Sequence, residues 1–139
     1  MRKGFPYGKK QTGSQIYRRT KQEKIQQLAR AVAETIGVQN YRMFDCDALI
    51  IISFDENDGF GVYDSSVAIQ NIYLAAHSLG LGSVWINQLR GKCGEPKIRK
   101  VLDSFNIPPN HIVCGISALG YPAETPAPKV RTETVEFVR

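Results

Sequence analysis

At 139 residues, with 42% hydrophobic and 22% charged side chains, the chain is long enough for one domain with a real core and too short for two. Its longest apolar runs, such as Ala48 to Ile52, fall far short of the roughly 20 residues of a membrane span, and its basic start leads into polar residues, not the apolar stretch of a secretory signal. The net charge of +5 is concentrated at one end, because Arg2, Lys3, Lys9, Lys10, Arg18 and Arg19 stand among the first 20 residues with no acidic side chain and the remainder is close to neutral.

Residues 1–20 thus read as a basic arm, and residues 21–139 as the domain, with an extended tail over 122–139. A basic arm can hold phosphates, but this one lacks interleaved aromatics or a recognition-helix pattern, so no specific nucleic-acid partner is expected. Cys46, Cys93 and Cys114 are odd in number and widely spaced, with no CxxC pair and neither histidine at ligand spacing. That usage fits a reduced, cytoplasmic protein with no structural metal.

Along the domain, Ile25, Leu28, Ala29, Val32 and Ile36 recur at helical spacing, and Gly37 stands where a C-terminal cap belongs. "ALIIISF", Ala48 to Phe54, is a continuous, β-branched apolar run closed by the turn-forming "DENDG", which predicts a strand covered on both faces. Helices must therefore lie on both sides of the sheet. From Ser65 to Leu79 a third element is apolar almost all round, leaving a narrow polar edge at Ser66, Gln70, Asn71 and His77. Such a helix is buried in a core or in a subunit interface.

That helix breaks into Gly80-Leu81-Gly82 and runs directly into the strand-like "SVWI". Two glycines around one leucine either form a helix cap and a turn or let the backbone approach something flat. Pro96 then suits the first turn of a helix whose face is Ile98, Val101, Leu102 and Phe105, and Pro108 with Pro109 stops it. "HIVCGISALGYP" reads as a buried strand containing Gly115. "PAETPAPKVR" carries three prolines in seven residues and must be extended. The closing "TETVEFV" has strand propensity without a hairpin partner, a pattern expected to pack on another subunit.

"YDSSVAIQNIYLAAHSLGLGSVWI" followed by "ISALGYPAETPAPKVR" resembles the nitroreductase family of FMN-dependent oxidoreductases, from about Thr20 to Arg139. The resemblance implies an α+β fold, an α/β/α sandwich with a central, mainly antiparallel sheet, and a homodimer with two FMN sites at its interface. It implies that Gly80, Leu81, Gly82 and Ser83 border the isoalloxazine ring through main-chain groups, and that Lys129 and Arg131 meet the FMN phosphate. The implied activity is ping-pong transfer of hydride from NAD(P)H to a nitroaromatic or quinone-like acceptor, with no catalytic side chain and no metal. Asp64, Gln70 and Asn71 are expected to cap or to bond at an interface, His77 and His111 to be structural, and Tyr121 with Pro122 to set the chain direction. Cys93, beside Lys92, has no evident base and is not expected to act as a nucleophile.

The arm departs from the family pattern. Typical members carry an Arg-Arg-Ser-x-Arg helix and an "APSGxNxQPWxFxVV" segment that hold the flavin, and "MRKGFPYGKKQTGSQIYRRT" resembles neither. Shifted by one base, codons that can encode Lys9 to Arg19 read K-N-R-Q-A-A-R-F-T-V, close to the missing pattern, so a displaced reading frame is the expected origin of the arm, which the coding DNA tests. The alternative reading is a non-catalytic dimer of the same fold with weak or no flavin binding.

Overall fold

The computed structural model describes residues 16–19, 22–125, 127–134, 136 and 138. The arm at 1–20 therefore lies outside the described residues except for the backbone of Ile16–Arg19, which forms strand β1. A strand inside that stretch is not what its sequence suggests. Four residues with no apolar alternation carry little strand signal of their own, and pairing supplies it: β1 runs antiparallel to Ile50–Ser53.

Helix α1, Gln22–Ile36, buries the predicted stripe of Ile25, Leu28, Ala29 and Val32. Gly37 ends it at φ +71°, and the Val38 N–H donates to the Ala33 carbonyl at 3.0 Å, closing a Schellman motif. Strand β2 spans Ala48–Asp55, helix α2 Gly61–Ser78, strand β3 Gly82–Ile86, helix α3 Pro96–Ser104 and strand β4 His111–Gly120. Helix α2 thus begins a turn before Ser65. Helix α3 stops before its prolines: Asn106 takes φ 56°, and the Ile107 N–H donates to the Leu102 carbonyl at 3.1 Å.

The sheet has the order β1-β2-β4-β3, and every neighbouring pair is antiparallel. The register sorts side chains onto two faces, since alternate residues of a strand point to opposite sides. Leu49, Ile51, Ile86, Ile116 and Ala118 pack with α1 and α3 into one buried cluster. Ile52 and Phe54 are buried on the other side, where α2 lies against β2, β3 and β4. Helices on both faces of an antiparallel sheet make the α/β/α sandwich that the resemblance implies, with β2 covered on both sides as its apolar run predicts.

Two glycines are fixed by that packing. A Cβ on Gly115 would stand 2.8 Å from the Trp85 indole, and one on Gly61 would run into the Phe54 ring. Glycine at 115 is therefore what allows the single tryptophan of the chain to lie flat on β4. The tail follows β4, and its described residues 121–125, 127–134, 136 and 138 are exposed, with none of these described residues in a strand.

Candidate functional site

Helix α2 ends in a Schellman motif. The Leu81 N–H donates to the Ala76 carbonyl at 2.9 Å and the Gly80 N–H to the His77 carbonyl at 3.0 Å, with Gly80 at φ +70°. The turn alone thus accounts for glycine at 80, because an L side chain is strained in that region. Gly82 is different. It opens β3 in register with Gly120, and a Cβ there would lie 3.5 Å from the Gly120 oxygen and 3.7 Å from the Pro122 Cα, which is ordinary contact. Packing within the chain does not demand glycine at 82.

What the bare backbone offers is access. Strand β3 pairs with β4 on one side only, so among the described residues its outward N–H and C=O groups have no strand partner. Leu81 is half-buried and Ser83 exposed. A flat molecule with hydrogen-bonding groups on its rim can approach such an edge without meeting a side chain at 82.

Pro122, the root of the tail, packs beside Gly82, so Tyr121 and Pro122 do direct the chain past the glycine segment. Lys129 and Arg131 lie farther along the tail, exposed, and neither makes an ion pair or hydrogen bond among the described residues. The single chain brings Gly82 and the start of the tail together and leaves the two cations outside.

Of the two histidines expected to be structural, His111 is buried and His77 is exposed. The His111 ring is 4% exposed, and its Nδ1 lies 3.1 Å from the buried Ser53 Oγ. Burial pushes its pKa below the usual value, Asp55 pulls it back up, and Arg99 adds to the lowering. His77 sits exposed in the last turn of α2, where its carbonyl serves the cap. Asp64 lies in the first turn of α2, and the N-cap position, Phe60, makes no side-chain cap bond; the Asp58 carboxylate accepts from the Phe60 N–H instead.

Cys93 is not an exposed thiol. It is 6% exposed, donates to the Leu89 carbonyl at 3.4 Å and accepts from the Val113 N–H at 3.2 Å. Burial raises its pKa above the ordinary thiol value, which keeps it protonated and unreactive. All three cysteines are free, and among the described residues no group of three or more His, Cys, Asp or Glu side chains is placed to hold a metal. No described helix is long and apolar enough to cross a membrane.

Helix α2 divides its apolar residues between a buried and an exposed face. Its inner residues Ile69 and Ala76 are buried, whereas Tyr63 is 68%, Val67 62% and Leu74 61% exposed. Sequence reasoning missed the packing of Trp85 on Gly115. Its only sign was a small residue in β4 opposite a large one in β3, and that becomes visible once the strand register is known.

The sequence matches the nitroreductase family over residues 8–121. A Methanothermobacter thermautotrophicus protein provisionally named NADH dehydrogenase/NAD(P)H nitroreductase is 43% identical over 81 residues, 58% of this chain and 39% of that protein. A Vibrio harveyi NADPH-flavin oxidoreductase is 36% identical over 78 residues, 56% of this chain and 30% of that protein. The chain thus matches less than half the length of these curated relatives. Among solved structures, a Bacteroides fragilis nitroreductase with bound FMN superposes with a TM-score of 0.75 at 28% identity, over 90% of this chain and 76% of that one. A Desulfitobacterium hafniense nitroreductase, 18% identical with a TM-score of 0.71 over 94% of this chain and 77% of that one, shares the fold. The chain belongs to the nitroreductase family.

Proposed function

We propose that the protein is an FMN-dependent NAD(P)H oxidoreductase of nitroreductase type, working as a cytoplasmic homodimer on nitroaromatic or quinone-like acceptors. The observation that carries this reading is Gly82, bare at an open sheet edge although nothing in the chain's own packing excludes a side chain there. That edge fits a planar ring whose rim both donates and accepts hydrogen bonds. FMN, when bound, supplies the redox chemistry, taking hydride from the nicotinamide and passing it to the acceptor.

The residues of the chain bind and orient. Gly80 turns the backbone out of α2, Leu81, Gly82 and Ser83 present main-chain groups to the ring, and Lys129 with Arg131 hold the phosphate. A guanidinium fork matches phosphate oxygens in pairs. Lys129 and Arg131 stand on an exposed tail rooted beside Gly82, so ordering that tail is part of forming the site. The exposed stripe of Tyr63, Val67 and Leu74 on α2 supports an association between two copies that would also give the tail a surface to lie on. The free, scattered cysteines support a reducing compartment.

The test is steady-state NAD(P)H oxidation by protein reconstituted with FMN, varying nicotinamide and a nitroaromatic acceptor together. Parallel double-reciprocal lines are expected, as in a ping-pong cycle. Flavin-loaded protein that oxidises neither NADH nor NADPH would overturn the activity. A folded dimer that retains no flavin would establish the non-catalytic alternative. Arg131→Gln should weaken FMN binding by about ten- to a hundredfold, the worth of one charge-assisted contact.

A further inference from the structure

The Lys24 Nζ at the start of α1 donates to the Ser104 carbonyl at the end of α3 at 2.9 Å, and Lys97 at the start of α3 meets Glu34 near the end of α1 at 2.6 Å. The two helices therefore lie antiparallel, on the face of the sheet opposite to α2. Between these tethers their outer sides form a groove of about 430 Å3.

Arg30 and Glu34 line it from α1 and Lys97 and Lys100 from α3, over a floor of Ala31 and Val101. The apolar stripes that bury Leu28 and Val32 of α1 and Ile98 and Leu102 of α3 turn these charged residues outward. Each pair stands three or four residues apart on its helix, so both members share a side and lie within about 6 Å along the axis.

The charges of the groove do not balance. Glu34 is its only acidic lining residue, against three cations, and it is engaged by Lys97. The Lys97 hydrogen bond and charge hold the Glu34 carboxyl below the usual carboxylate value, burial opposes this, and the Arg30 charge adds a smaller lowering. The Arg30 Nε donates to the Gln26 carbonyl of its own helix at 3.4 Å, which leaves both Nη groups without a partner among the described residues. Lys100 makes no hydrogen bond or ion pair among the described residues. Asp103, one turn on from Lys100, is held by Arg99 at 2.7 Å. Two free cations on one small groove match a ligand that packs several anionic oxygens close together. The carboxylates of an acidic peptide are spread over separate side chains, whereas linked phosphates present charged oxygens to both cations at once.

We infer that the groove between α1 and α3 binds a small soluble ligand carrying two or more linked phosphates, held by the Arg30 guanidinium and the Lys100 ammonium with Lys97 beside them. The groove shares no residue with the proposed flavin site, so it stands or falls separately from the redox function.

The experiment titrates the full chain with inorganic tripolyphosphate at low ionic strength, read by calorimetry, with inorganic phosphate and a hexaglutamate peptide as comparators. Tripolyphosphate should bind saturably and about tenfold tighter than either, the difference one further charge-assisted contact makes. Arg30→Gln and Lys100→Gln should each weaken it by about tenfold, with unchanged circular dichroism. Lys92→Gln, the same charge change outside the groove, should leave the affinity as it was. Glu34→Gln should tighten binding by about two- to fivefold, because it removes the one opposing charge and frees Lys97. A merely structural role for these exposed residues predicts no such gain. No saturable binding, hexaglutamate bound as tightly, or an affinity unchanged in Lys100→Gln would each overturn the inference. So would a loss confined to Arg131→Gln, which would place the anion at the proposed flavin-phosphate position.

Discussion

The two faces of the sheet are finished to different degrees. On the α1/α3 side, Leu28, Leu49, Ile51, Ile98, Leu102 and Ile116 are fully buried, the polar pair Ser53 and His111 bond to each other, and Tyr41 Oη, packed against this cluster, has no partner among the described residues. On the α2 side, Val67 and Leu74 are exposed, and the buried Ser65 Oγ, Tyr73 Oη and Ser117 Oγ have no partner among the described residues. Burial alone pushes the Tyr73 phenol up to about 12. A face that carries both open apolar surface and unpaired buried hydroxyls costs stability in an isolated chain. The first face carries the core cluster, and the second leaves apolar surface open.

The sharpest way to break that contrast is to truncate one leucine on each side. Leu102→Ala should lower unfolding free energy by about 2–5 kcal/mol, because a fully buried leucine leaves a cavity. Leu74→Ala should change it by less than about 0.5 kcal/mol in dilute solution, as for surface sites generally. Urea unfolding of both variants at low protein concentration makes the comparison. Similar losses would mean that Leu74 is a core residue.

Gly115→Ala comes next. Its methyl must displace the Trp85 indole, at a cost of about 1–3 kcal/mol. The same substitution should shift the Trp85 emission maximum, which separates it from a general loss of stability.

Acid should weaken the closed face before the open one. The folded-state pKa of His111 lies below the ordinary 6.5, so the unfolded chain binds the proton more readily and stability falls as pH drops through that value. The Asp55 pKa is lowered from 3.8, chiefly by the Asn57 N–H, with burial opposing it next and the Asn57 side chain, His111 and the Asn110 side chain adding smaller lowering effects. Its contribution is present above that value and is lost at still lower pH. Denaturation midpoints measured from pH 7.5 to 5.5 should decline in the unaltered protein and decline less in His111→Gln. Equal slopes would remove His111 from the account.

The smallest effect is expected where charges pair in water. Lys97 and Glu34 meet at 2.6 Å across α1 and α3 with both side chains more than half exposed, and such pairs add little. Glu34→Gln should leave the urea midpoint within error.

Much of this contrast was legible in the sequence. The stripe of Ile25, Leu28 and Val32 and the caps at Gly37 and Pro96 are local signals, and local physics realises them. The all-round apolar pattern of α2 reads as core or interface and carries no sign of which side stays open. Strand β1 was missed because Ile16 to Arg19 acquires its conformation from pairing with β2. The fit of Trp85 to Gly115 depends on a register that shifts between Ile52 and Ser53, and no sequence pattern records that shift. Within the site, Gly80 and Gly82 were read from spacing and resemblance, yet their roles separate only in three dimensions. The turn accounts for the first glycine and the open edge for the second. Lys129 and Arg131 stand on the exposed tail and came from the resemblance alone.

The most direct measurement is the visible absorption spectrum of the protein after incubation with excess FMN and desalting. The account predicts a retained flavin band, shifted from that of free FMN and reduced in Arg131→Gln. A folded protein that emerges colourless would contradict it.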